Sequence, residues 1–171
     1  MGSTSSRLLR VVGVLMAAST LSAQTPALPA AIRASLDESH PGWAIVPPPN
    51  TGTANVASGD FDGDGAPDYA AFIVYPASEA VPGGAPMGRV IAFLKTGSGY
   101  RTVPVSRPLD ASKGARIHIQ TLGKGTKQYD LNTNRPFVLE RDGIRVSPLS
   151  SGPCNTFVYR DGVFVGTWTC D

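Results

Sequence analysis

Two short segments near the middle of the chain, DYAAFIVY (68–75) and RVIAFLK (89–95), are apolar at almost every position. Alternate side chains of a β-strand face opposite sides of its sheet, so a strand that is apolar at both parities needs cover on both faces. The two segments are therefore predicted to be central strands. The chain is expected to be organised around a buried β-sheet.

The rest of the chain after Trp43 has the same β character. Clusters of Pro, Gly and Asn separate short runs rich in Val, Ile, Tyr, Phe and Thr, a pattern typical of strands joined by turns. The further strand candidates are YRTVPVS (100–106), RIHIQTL (116–122), RPFVLE (135–140), GIRVSPL (143–149), NTFVY (155–159) and VFVGTWT (163–169). Two longer segments, 76–88 and 123–134, are predicted to be surface loops.

One α-helix is predicted before the strands, within residues 24–41. Leu28, Ile32 and Leu36 recur every four residues and would form one apolar stripe against the domain. Pro29 suits the first helical position, where a backbone N–H is not needed. The predicted fold class is thus mainly β, an antiparallel meander or sandwich-like sheet, with one short N-terminal α-helix.

Residues 1–23 are predicted to be a secretory signal peptide and not part of the fold. Two arginines precede an apolar run at 11–18, which is far shorter than the roughly 20 residues of a membrane-spanning helix, and small residues follow it. Cleavage after Ala23, or one residue earlier, leaves a single β-rich domain at 24–171. This domain is expected to be secreted or periplasmic, with no membrane span.

The leader also accounts for the apparent basicity of the chain. Of the 15 lysines and arginines, Arg7 and Arg10 lie in the leader, which leaves 13 basic against 13 acidic residues. A balanced charge gives no support for nucleic-acid binding. The partner expected for the mature domain is an extracellular or periplasmic protein or glycan, whose identity the sequence does not specify.

The two cysteines are predicted to form a disulfide across a C-terminal hairpin at 154–170. Cys154 and Cys170 are equidistant from Gly162, and an exported chain reaches an oxidising compartment. The turn is predicted to comprise residues 160–162, with a bulge beside it. A redox pair would have C-x-x-C spacing, and a zinc site would need further ligands nearby.

The segment GDFDGDGAPDYAAF (59–72) collects four of the 13 acidic residues within nine positions. Side-chain oxygens at relative positions 1, 3, 5 and 9, with a Gly at position 6, suit Ca²⁺ and its six to eight oxygen ligands better than Mg²⁺. The predicted ligands of this calcium loop at 60–68 are the carboxylates of Asp60, Asp62, Asp64 and Asp68 and the carbonyl of Ala66. A solvated acidic turn, in which Asp and Gly serve only the turn conformation, is the alternative.

The loop is not an EF-hand, because Ala71 replaces the bidentate Glu of position 12 and Pro67 precedes a β-like run instead of a helix. VASGDFDGDGAPDYAAFIV (56–74) instead resembles an FG-GAP or VCBS-type repeat, whose D-x-D-x-D-G-x-x-D loop binds calcium between β-strands, as in integrin-like propeller blades. The resemblance implies the same five ligands. Only one copy is present, so a complete propeller is not expected.

The wider arrangement, with PGW (41–43) before the loop and WTCD (168–171) at the end, resembles small bacterial secreted proteins that carry one such loop. This resemblance implies a compact β domain and no particular activity. The predicted function is therefore a secreted calcium-binding domain that acts as a binding or structural module.

The alternative function is a small secreted or periplasmic hydrolase. Such an enzyme needs a base, and His40 and His118 are the only histidines. His118 shares one face of its predicted strand with Arg116 and Gln120, which is typical of a solvent-side position. A pocket that joins His118 to a carboxylate or hydroxyl would favour the hydrolase.

Overall fold

The computed structural model describes residues 27–47, 55–76, 86–111, 116–148 and 152–170, so the predicted signal peptide lies outside the described residues. The helix α1 spans Ala30–Ser39. The strands are β1 (Ala44–Ile45), β2 (Val56–Gly59), β3 (Asp68–Tyr75), β4 (Met87–Lys95), β5 (Tyr100–Pro104), β6 (Leu109–Asp110), β7 (Ile117–Leu122), β8 (Lys127–Asp130), β9 (Arg135–Val138), β10 (Gly143–Pro148), β11 (Cys154–Arg160) and β12 (Val163–Cys170). Across these ranges, no helix is long and apolar enough to cross a membrane.

The strands form two main sheets and a separate hairpin. The first sheet has the order β1-β3-β4-β5, with β2 also beside β3 and β6 also beside β4. The second sheet has the order β12-β11-β10-β7, and β8 pairs with β9 alone. Every described pairing is antiparallel. The predicted class, mainly antiparallel β with one N-terminal helix and no complete propeller, is confirmed.

The central strands β3 and β4 are buried on both faces, as predicted. One set of alternate residues, which includes Phe72 and Val90, packs with Ile119 and Ile144 of the second sheet. The other set packs with residues of α1, in a separate cluster. The described residues therefore form three layers: the helix, the first sheet and the second sheet.

The helix buries Ile32 and Leu36 of the predicted stripe, and Leu28, which precedes the helix, is buried as well. The prediction for Pro29 is off by one position: Pro29 is the N-cap residue, with φ −52° and ψ 149°, and the first helical residue follows it. The amides of Ile32 and Arg33 both donate to the Pro29 carbonyl. Proline suits this place because it lacks the N–H that a helix start leaves unpaired.

Several short strands were not predicted. The segment 123–134 was expected to be a loop, yet its residues 127–130 form β8 and pair with β9. The sequence of β8, KQYD, has no apolar alternation to identify it, and its strand conformation depends on its partner. In the other predicted loop, 76–88, the last two residues belong to β4 and residues 77–85 lie outside the described ranges.

The C-terminal hairpin differs from its prediction at the turn. Arg160 pairs with Val163, so the turn has two residues and not three. Both of them, Asp161 and Gly162, have positive φ, at 48° and 90°. Two-residue turns of this kind match the right-handed twist of the flanking strands, which is why Asp-Gly is common in them.

Cys154 and Cys170 lie at disulfide distance, as predicted, with the two Cα atoms 5.1 Å apart. The bulge lies at this end of the hairpin and not beside the turn: Asn155 pairs with Trp168, whereas Cys154 pairs with Cys170. Without that shift Thr169 would stand opposite Cys154, and the second cysteine would point to the other face. The bulge therefore places Cys170 opposite Cys154, where the two can form a disulfide.

Candidate metal centre

The acidic loop is the connection between β2 and β3 at one end of the first sheet. The last pair of this ladder joins Gly59 to Asp68, so residues 60–67 form a short closed loop. Gly63 and Gly65 have φ of 83° and 86°, a left-handed conformation that costs side-chain-bearing residues about 1 kcal/mol or more. The glycines are thus required by the turning of the backbone.

Three of the four loop aspartates converge. Asp60, Asp62 and Asp68 each offer a carboxylate oxygen within 4.8 Å of the others. Asp64 does not belong to this group: its side chain is exposed and accepts a hydrogen bond from the amide of Ala66 at 2.8 Å. The structure therefore gathers an acidic triad, while the roles predicted for Asp64 and for the carbonyl of Ala66 stay predictions.

Asp68 is the most enclosed member, with 0 % of its surface exposed. Its Oδ2 accepts hydrogen bonds from the amides of Phe61 at 2.8 Å and Asp62 at 3.3 Å. Its Oδ1 accepts one from the amide of Lys95, at the end of β4, at 2.7 Å. The carboxylate thus joins both ends of the loop to the neighbouring strand.

The other two members of the triad shape the loop backbone. Asp60 accepts the amides of Gly63 at 2.8 Å and Gly65 at 3.1 Å, one on each oxygen. Asp62 Oδ1 accepts the amide of Asp64 at 3.2 Å. These bonds turn the backbone N–H groups toward the carboxylates and arrange the side chains around a common centre.

Two of these carboxylates resist ionisation. Burial raises the pKa of Asp62, and the neighbouring charges of Asp64 and Asp60 raise it further. Burial also raises the pKa of Asp68, which outweighs the lowering effect of its hydrogen bonds from Lys95 and Phe61. Both shifts have the direction that burial gives a carboxyl group.

Arg141 and Asp142, which precede β10 of the second sheet, contact the loop from the other side. Asp142 Oδ2 accepts the amide of Asp60 at 3.0 Å, and its Oδ1 accepts the amide of Lys124 at 2.8 Å. Arg141 Nη1 donates to the carbonyl oxygen of Asp62 at 2.6 Å. These three bonds span up to 82 positions of sequence, so no local signal could have revealed them.

A polar cleft of about 160 Å³ opens beside the triad. Asp60 and Gly63 line it from the loop, and Lys124, Glu140 and Asp142 line it from the opposite side. Asp142 and Glu140 were not among the residues predicted for the calcium loop. Both of them nevertheless stand next to it.

The triad fits a hard divalent cation. Its donors are carboxylate oxygens, which Ca²⁺ and Mg²⁺ prefer, whereas zinc favours the nitrogen and sulfur of His and Cys. The partial exposure of Asp60 and Asp62 leaves the centre open to further oxygen ligands. This donor set could hold a metal ion, and its chemistry alone does not identify which one.

The hydrolase alternative gains little from the placement of its candidates. His118 is partly exposed on β7 and stands opposite Ser147 of β10. It lines neither the cleft beside the triad nor a second cleft, of about 190 Å³, between the β8–β9 hairpin and the β11–β12 pair. Neither of these two clefts therefore contains a histidine that could act as a base.

No protein-family model matches this chain, and the searches of curated proteins and of solved structures found no match either.

Proposed function

We propose that this protein is an exported, calcium-binding β domain that acts as a binding or structural module. The convergence of Asp60, Asp62 and Asp68 carries the proposal. Burial and mutual repulsion raise the pKa of the second and third of these groups, so a cation between them would relieve an existing electrostatic cost.

Calcium is the proposed ion. The loop has alternating oxygen ligands, glycines that allow a sharp turn and partly exposed carboxylates, which suit a flexible site with many oxygens better than the strict octahedron of Mg²⁺. The resemblance of residues 56–74 to an FG-GAP or VCBS-type repeat supports the same choice. When bound, the ion would supply positive charge that holds the carboxylates together.

The proposed location is outside the cytoplasm, in the periplasm or the medium. The pattern of residues 1–23 supports export. The disulfide between Cys154 and Cys170 is compatible with it, because such bonds persist in oxidising compartments. The proposed partner is an extracellular or periplasmic protein or glycan. N-terminal sequencing of exported protein is expected to give a start near Gln24, and a retained Met1 would refute cleavage.

Thermal melts of the mature domain in calcium and in chelator test the metal proposal. At a calcium concentration of about 100 times Kd, mass action adds about 2.7 kcal/mol to the folded state. For a domain of this length, that raises the Tm by roughly 5 to 10 °C. Equimolar magnesium is expected to give a smaller rise, since the site suits it less.

Two matched aspartate variants make the test specific. Asp62→Ala removes a central member of the triad and is expected to abolish most of the calcium response. Asp161→Ala lies in the β11–β12 turn and is expected to leave the response intact, even where it lowers the Tm. A wild type that melts identically in calcium and chelator would show that the loop is only an acidic turn.

A further inference from the structure

The loop that carries the triad is attached at two places that are far apart in sequence. Its own ends continue into β2 and β3 of the first sheet. Its outer side contacts residues 141–142, which immediately precede β10 of the second sheet. The position of the triad therefore depends on how the two sheets dock.

Asp142 is the central element of this second attachment. One of its oxygens accepts the amide of Asp60, and the other accepts the amide of Lys124 in the β7–β8 connection. The approach is close, because a Cβ built on Gly59 would lie only 2.8 Å from Asp142 Oδ2. The carboxylate of Asp142 thus holds the backbone at the first residue of the triad and does not contact the Asp60 side chain.

Arg141 does the same for the second residue of the triad. Its guanidinium donates to the carbonyl of Asp62 and lies 3.7 Å from the position that a Cβ on Gly63 would take. This contact is made to the backbone, so the carboxylate of Asp62 stays directed into the loop. The guanidinium also places positive charge beside a centre that is proposed to attract a cation.

We infer that Asp142 and Arg141 are positioning residues of the calcium site, and that ion binding and docking of the second sheet favour each other. The inference rests on the proposed function. Residues that orient metal ligands from behind typically change affinity by 10- to 100-fold when they are lost. Coupling of this kind is reciprocal, so calcium must also strengthen the contacts of Asp142.

Isothermal titration with calcium separates positioning from simple charge. Asp142→Asn removes one acceptor oxygen where two amides each need one, and about a tenfold rise in Kd is expected. Glu140→Gln removes the same charge from the same cleft, and its expected change in Kd is under about threefold. Asp130→Asn, in the distant β8–β9 turn, is expected to leave Kd unchanged.

For Arg141→Gln, the direction of the change in calcium Kd distinguishes a positioning role from an effect of charge alone. If Arg141 acted only through its charge, its loss would remove repulsion and tighten calcium binding. If it positions Asp62, its loss weakens binding, and a several-fold rise in Kd is the result we expect. This variant also decides the matter where Asp142→Asn fails to fold.

Hydrogen exchange supplies a readout that a purely structural role would not change. In the wild type, calcium is expected to slow exchange of the Lys124 amide, although that amide belongs to the β7–β8 connection and not to the loop. In Asp142→Asn, calcium should no longer slow it. An Asp142→Asn protein with wild-type Kd, a Glu140→Gln protein that is weakened equally, or tighter binding by Arg141→Gln would overturn the inference. A wild type that binds no calcium would instead refute the proposed function.

Discussion

In two turns of this molecule, aspartate side chains accept hydrogen bonds from backbone amides. The charges of these aspartates affect the stability of the two turns in opposite directions. In the β8–β9 turn one residue suffices: Asp130 accepts the amides of Asn132 and Thr133, at 2.8 and 3.3 Å, and the Thr133 hydroxyl at 2.8 Å. The β2–β3 loop, residues 60–67, has three aspartates of its own, and Asp68 follows at the start of β3. Both connections close a pair of antiparallel strands.

The pKa values of the aspartates are shifted in opposite directions in the two turns. Hydrogen bonds, chiefly from the Thr133 side chain, lower the pKa of Asp130, so its charge favours the folded turn. Burial raises the pKa of Asp62 and Asp68, so their charges oppose the folded loop. A turn needs only one satisfied carboxylate. The β2–β3 loop instead brings three carboxylates together, and a bound cation is the proposed compensation for their charge.

The largest effect is expected from replacing Asp68 or Asp130, the carboxylates that accept backbone amides in the two turns. In chelator, Asp68→Ala leaves the amides of Phe61 and Lys95 without their acceptor in a buried site, and a loss of about 3 kcal/mol or more is expected. Asp130→Ala should cost clearly less, because its turn is open to water, which can replace the lost acceptor. Urea unfolding of both variants checks this, and equal losses would contradict the comparison.

A smaller effect is expected from the left-handed positions of the two turns. At Gly65 an added Cβ meets nothing within 4 Å, so Gly65→Ala should cost about 1 kcal/mol through backbone strain alone. It should also weaken calcium binding, because the Gly65 amide bonds to Asp60. In the other turn Asn134 already adopts φ 57°, and Asn134→Gly is expected to leave calcium binding unchanged. Unfolding and titration of both variants measure this; weaker binding in Asn134→Gly would contradict it.

The smallest effect concerns pH. Because the pKa values of Asp62 and Asp68 are raised in the fold, their contribution to stability in chelator grows as the pH falls from 7 toward the ordinary aspartate value of 3.8. The lowered pKa of Asp130 acts oppositely, and its contribution is lost only below that value. In calcium, protons compete with the ion, so the calcium and chelator melting curves should converge at low pH.

Asp62→Asn tests the contribution of Asp62 to this pH dependence separately from the contributions of the other acidic residues. In chelator at pH 7 the variant is expected to be more stable than the wild type, since it keeps an acceptor oxygen and loses the unfavourable charge. The difference should shrink as the pH falls and wild-type Asp62 becomes protonated. Urea midpoints at pH 7, 6 and 5 measure it; a variant less stable than the wild type at pH 7 would show that the charge of Asp62 stabilises the metal-free loop.

Features that repeat with the period of their own element could be predicted from the residues alone. The two-sided apolar pattern of β3 and β4 required cover on both faces, and the four-residue stripe of α1 provided one cover. The equal spacing of Cys154 and Cys170 from Gly162 indicated their pairing. The spacing of the loop aspartates indicated an acidic centre, and three of them converge.

The remaining features depend on tertiary contacts. The bulge that brings the cysteines opposite each other, the pairing of the polar strand β8 and the burial of Asp68 all depend on partners elsewhere in the chain. Arg141 and Asp142 lie about 80 residues from the loop in sequence, and they bond to a backbone carbonyl and a backbone amide of it. Backbone groups are the same at every position, so their long-range hydrogen bonds leave no pattern of residue types. They exist only once hydrophobic packing has brought the two sheets together.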